Sequence, residues 1–87
     1  MSFRIETEAR GAFTVFILSG RIETPAIVEL RKLFELQTEG HHIVLDLKDV
    51  SMVERDVMRF LARCKADGVK LENCAPYIRE WMEREKD

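Results

Sequence analysis

Hydrophobic and polar residues change period several times along the chain, and each change marks an element. Phe3, Ile5 and Thr7 alternate with Arg4 and Glu6, the period of two that suits a half-exposed strand. Ala9-Arg10-Gly11 reads as a turn. Phe13 to Leu18 (FTVFIL) is β-branched and aromatic and reads as a more deeply buried strand, so the two form an opening hairpin. Gly20 is expected to end the second strand. Thr24-Pro25 then opens a helix: the threonine hydroxyl can accept from free backbone N–H groups, and proline suits a first helical position whose N–H has no partner. Ile27, Leu30, Leu33 and Phe34 follow at helical spacing, and Gly40 fits the left-handed residue that closes a helix.

Ile43 to Leu47 (IVLDL) is a short, mostly apolar run, as expected of an interior parallel strand. Val57, Phe60, Leu61 and Cys64 then recur at i, i+3, i+4 and i+7, with Arg59, Arg63 and Lys65 on the polar side and Gly68 at the end. Val69-Lys70-Leu71 is a short strand candidate. Pro76 starts a third helix, with Ile78, Trp81 and Met82 expected to face inward. The order β-β-α-β-α-β-α predicts an α/β fold with a mainly parallel four-stranded sheet and an antiparallel first strand. Residues 1–87 read as a single domain with no internal repeat, linker or low-complexity tract.

Composition narrows the class. The 46% hydrophobic content suits a folded globule. The net charge of −2 comes without a basic stripe, which argues against a nucleic-acid partner. The longest apolar run falls far short of the ~20 residues a membrane span needs, and the first residues (MSFRIETEAR) lack the apolar core of a secretory signal. The expectation is therefore a cytoplasmic protein without a membrane association. Cys64 and Cys74 lack Cys-x-x-Cys spacing and are expected to be free thiols.

Candidate chemistry concentrates in Val50 to Val57 (VSMVERDV), where two acids and a base meet a helix start. Ser51 has no histidine near it in sequence to activate it as a nucleophile. Glu54 and Asp56 are two apart, so they do not share a helix face, and Arg55 between them favours both ionised forms. His41 and His42 sit just past a helix end and read as loop or capping residues. No pair of cysteines and histidines has zinc-knuckle spacing, and a turn with two acids and no glycine repels phosphate. The expectation is no catalysis, no metal and no cofactor. Capping explains part of the cluster: Ser51-x-x-Glu54 fits a capping box, or Asp56 caps a helix that begins at Val57.

GRIETPAIVELRKLFEL followed by IVLDLKDVSMVERDVMRFLARCKADGVKLENC resembles the STAS domain of anti-sigma factor antagonists and sulfate transporters. The likeness extends over roughly residues 3 to 82. Members of that family carry Gly-x-Leu-Asp before the first helix, a Val-Leu-Asp-Leu strand and an Asp-Ser-x-Gly loop opening the second helix. Here Gly20-Arg21-Ile22-Glu23 stands at the first motif, and Glu54 stands at the loop aspartate. Asp56 falls where many antagonists are phosphorylated on serine, and Val57 where they have glycine. Family members also continue with a further strand and helix beyond the segment matching Pro76–Met82. The resemblance therefore implies a shortened C-terminus, with the Val69–Leu71 strand edge less covered and prone to pairing with another chain.

The resemblance implies a non-catalytic module that docks a protein partner, such as an anti-sigma factor or related regulator, through Arg21, Glu23, Thr24, Glu54, Arg55, Asp56 and Arg59. Asp56 cannot accept phosphate from a serine kinase. It carries about −1 charge against −1.5 to −2 for phosphoserine, so the phosphorylation switch is expected to be missing. Tyr77 and Trp81, four apart on one helix, are expected mainly as core, with a dimer or partner interface as the alternative. A small-ligand sensor using the loops at 19–24 and 48–56 is the competing reading, and a weak hydrolase or metal site using Glu54, Asp56 and the histidines is a third.

Overall fold

A computed structural model describes residues 3–37 and 42–85. The elements are β1 (Phe3–Arg10), β2 (Phe13–Ile22), α1 (Thr24–Glu35), β3 (His42–Val53), α2 (Arg55–Ala66), β4 (Lys70–Glu72) and α3 (Pro76–Glu85). The sheet order is β1-β2-β3-β4, with β1 antiparallel to β2 and the other pairs parallel. Fold class and element order are those expected from the alternation of periods. Among the described residues no helix is long and apolar enough to cross a membrane. His41 and the helix-closing role read for Gly40 lie outside the described residues.

One face of the sheet carries the core. Phe16 and Leu18 of β2 and Leu45 and Leu47 of β3 pack with Ala26 and Leu30 of α1, Val57, Met58 and Leu61 of α2, and Ile78 and Met82 of α3. Three aromatic rings continue this packing between elements: Phe16 to Phe34 at 5.7 Å and Phe34 stacked on Phe60 at 6.1 Å. The opposite face is covered by charge instead. Arg10 of β1 pairs with Glu8 at 3.2 Å and reaches Glu72 on β4 at 3.6 Å, while Lys70 pairs with Glu72 at 3.8 Å. Val15 and Val44 are buried on this helix-free side, where Arg10, Phe13, Lys70 and Glu72 surround Val44.

Both central strands run longer than the apolar runs suggested, and β3 is irregular. Gly20 does not end β2. It lies inside the strand with φ of 85°, a left-handed backbone that a side chain would strain. Between the Ile17↔Asp46 and Ser19↔Asp49 pairs β2 advances two residues and β3 three. Between Gly20↔Val50 and Arg21↔Met52 β2 advances one and β3 two. Each extra residue is a β-bulge, which bends the strand and re-aims the side chains beyond it. The helix-facing positions of β2 stay regular (Thr14, Phe16, Leu18, Gly20, Ile22), whereas those of β3 fall at Ile43, Leu45, Leu47, Val50 and Val53. Ser51 is consequently a strand residue and makes no capping box.

Helix ends also differ in detail. The N-cap of α1 is Glu23 and that of α2 is Glu54, neither with a side-chain bond to its own helix. The α2 helix starts at Arg55, so Asp56 sits in its first turn and not at the cap. Its other end closes as the sequence indicates. Gly68, at φ of 100°, donates to Lys65 O at 3.1 Å, and Val69 N donates to Cys64 O at 2.9 Å. These two bonds make a Schellman motif. On α3, Ile78 and Met82 are buried, but Trp81 is 38% exposed and Tyr77 48% exposed. The expectation that these two aromatics belong to the core is therefore wrong. Two buried positions suffice to seat this short helix on α2, and its aromatic side stays partly exposed.

Candidate functional site

The parallel pairing of β2 with β3 brings the two loops at their carboxyl ends together. Ile22 and Val53 end the strands as partners, both buried, and Glu54 N donates to Ile22 O at 3.0 Å, extending the ladder by one bond. The chain then enters α1 on one side and α2 on the other. Because the bulges of β3 absorb two residues, Glu54 arrives beside the start of α1. Its Oε1 accepts from Thr24 N at 2.8 Å and from Thr24 Oγ1 at 3.1 Å.

This contact inverts the role expected of Thr24. Its hydroxyl does not cap its own helix; it donates to a carboxylate thirty residues on. Glu54 supplies the acceptor for a free N–H in the first turn of α1, where negative charge also meets the positive end of the helix. Glu54 and Thr24 are thus a latch between the loops. Neither is a freely offered charge.

The remaining predicted residues spread over the surface around that latch. Exposed Arg21 and half-buried Glu23 form an ion pair at 3.6 Å on the β2–α1 side. Arg55, Asp56 and Arg59 occupy the first two turns of α2 and are all exposed. Asp56 is turned to solvent at the positive end of the helix, where a carboxylate contributes about 0.3–1 kcal/mol. The structure therefore joins 21–24 to 54 by direct bonds and leaves 55, 56 and 59 on the adjoining helix.

Position alone adds one residue, Tyr77, that the sequence reading did not assign to this region. Ser51 O lies 3.5 Å from Tyr77 Oη, which brings the start of α3 to the end of β3, next to Met52, itself 38% exposed. The available signal was the i, i+4 spacing of Tyr77 and Trp81 on an otherwise charged helix. Nothing local tied that helix to Ser51. Among the described residues no three His, Cys, Asp or Glu side chains cluster as metal ligands. His42 is exposed and its ring lies 5.4 Å from Phe13, well apart in the sheet from the Glu54–Thr24 end. Cys64 and Cys74 are free thiols. Burial pushes the Cys64 thiol up to about 11, with Asp67 adding to the rise and Arg31 opposing it.

Neither a protein-family profile nor any curated protein sequence matches the chain. A solved structure described as a crystal structure analysis of Mglu is similar, with a TM-score of 0.58 and 29% sequence identity. The match covers 77% of this chain and 18% of that one, so the chain spans less than a fifth of the length of that protein. The shared part is a small α/β unit.

Proposed function

We propose that this chain is a non-catalytic protein-interaction module of the STAS type, acting in bacterial signalling or regulation, with a docking surface formed by the β2–α1 loop and the start of α2. The observation that carries this reading is the latch. The two loops assigned to docking by resemblance are bonded through Glu54 and Thr24, and Asp56 is left exposed beside them. A surface held in place before contact loses less conformational freedom on binding.

In this reading Arg21, Glu23, Arg55, Asp56 and Arg59 provide a mixed-charge face. Such a face sets orientation and association rate more than affinity. Asp56 supplies a fixed negative charge at the position of the phosphorylated serine, so partner choice is not toggled by a serine kinase. The partner is a protein with a complementary patch of both signs.

The experiment is affinity capture from native extract with the wild-type chain and with Arg55→Glu/Arg59→Glu, alongside thermal melts of both. The expected result is a specific partner lost by the variant at nearly unchanged thermal midpoint, since both positions are solvent-facing. Equal capture by the variant refutes the assigned surface. A midpoint rise with a nucleotide or small anion, with no protein partner captured, would favour ligand sensing instead.

A further inference from the structure

The far edge of the sheet offers a second surface, remote from the loops above. β4 pairs with β3 on one side through Lys70, Leu71 and Glu72, and among the described residues no strand pairs with its other side. That open edge borders a groove of about 370 Å³ between α2 and α3. Its floor is apolar: Val69 and Leu71 are half-buried and Met82 is buried. Its walls carry two cations, exposed Lys65 on α2 and exposed Arg79 on α3. The Cys74 thiol in the same groove is pushed up by burial, and Arg79 and Lys65 oppose that rise, which places both cations near it. Glu72 does not cancel this charge. It points to the helix-free face and is engaged by Arg10 and Lys70.

We propose that the β4 edge and this groove form a docking site for an extended acidic segment of another protein, added as a strand beside Lys70–Glu72. Strand addition uses the unpaired backbone groups of an edge for affinity and alternate side-chain contacts for specificity. Alternate side chains of the incoming strand point to opposite faces; the acidic ones take the helix side, with their methylene stems over Val69, Leu71 and Met82. Its carboxylates meet Lys65 and Arg79. Three residues of edge are too few to hold a neutral strand in water, which is one way that sheets protect their edges. The cations therefore select an acidic one. The site is independent of the docking loops, so either assignment can fail alone.

The test uses the full chain, isotopically labelled, and a fluorescent short peptide alternating glutamate and valine. Controls are a lysine–valine peptide and a glutamate–proline peptide that cannot pair as a strand. The expected result is saturable binding of the glutamate–valine peptide, at least about tenfold weaker for Lys65→Glu/Arg79→Glu, with amide shifts confined to residues 69–72 and the facing turns of α2 and α3. Lys65→Gln/Arg79→Gln, which melts as wild type, should weaken binding by a smaller factor. Equal binding of the lysine or proline peptides, indifference to both double variants, shifts centred on Thr24 and Glu54, or no binding would each overturn the proposal.

Discussion

Removing the Glu54 carboxylate should loosen the start of a helix that Glu54 does not belong to. Glu54→Ala deletes the acceptor of two bonds, from Thr24 N at 2.8 Å and Thr24 Oγ1 at 3.1 Å. Loss of a helix N-cap acceptor costs roughly 0.5–2 kcal/mol. The site is only half-buried, so water takes over part of the freed donors' needs and the expected cost is about 1–1.5 kcal/mol. No cap of α2 is lost, because the Glu54 side chain makes no bond to that helix. For a domain of this size that cost lowers the thermal midpoint by roughly 4–12 °C. Thr24→Val removes only the hydroxyl and should cost about 0.5 kcal/mol. The informative quantity is the coupling between the two, measured by urea unfolding of both single variants and the double variant. Thr24→Val should cost markedly less in the Glu54→Ala background. Strict additivity, or a Glu54→Ala midpoint equal to wild type, would refute the latch and remove the main support for a preformed docking surface.

Three further outcomes are expected at other positions. Gly68→Ala meets no steric obstacle, since nothing lies within 4 Å of the added carbon. Its cost is then the left-handed backbone alone, about 1–2 kcal/mol by chemical denaturation. Leu61→Ala, at a fully buried position between α2 and the sheet, should cost about 2–5 kcal/mol, enough to populate the unfolded chain visibly by circular dichroism at physiological temperature. Cys64 titrates at about 11 when folded against an ordinary value of 9.0. A raised folded value means that its contribution is complete below about pH 9 and is lost as the pH climbs through about 11. Urea midpoints should therefore fall more steeply between pH 9 and 11 in wild type than in Cys64→Ala.

The sequence revealed elements wherever one period held for a whole element. FTVFIL of β2 and the Val57, Phe60, Leu61, Cys64 series of α2 are unbroken, and both elements occur where expected. It failed where the period broke. Inward positions of β3 run at spacings of two, two, three and three. The last two mimic helical recurrence, so the apolar pattern marks a strand only as far as Leu47 and leaves VSMV looking like a loop. Trp81 was misplaced because hydrophobicity shows that an aromatic can be buried, not that the partner surface exists. The latch was illegible for a different reason. Thr24 and Glu54 each have a credible local role, and only the parallel pairing of Ile22 with Val53 makes the non-local one better. Asp56 is exposed, and it lies in the first turn of α2 and not at its cap because the helix starts two residues before Val57.

The two surplus residues of β3 also fix how that segment can vary. Each bulge swaps the faces of the strand, and the second undoes the first. Straightening either one while keeping its residue would send Val53 outward and carry the carboxylate at 54 away from α1, whereas shedding the surplus residue along with the bulge would keep the sides and redraw only the bend. Length between Leu47 and Glu54 can therefore change one residue at a time, provided each residue lost or gained takes a bulge with it.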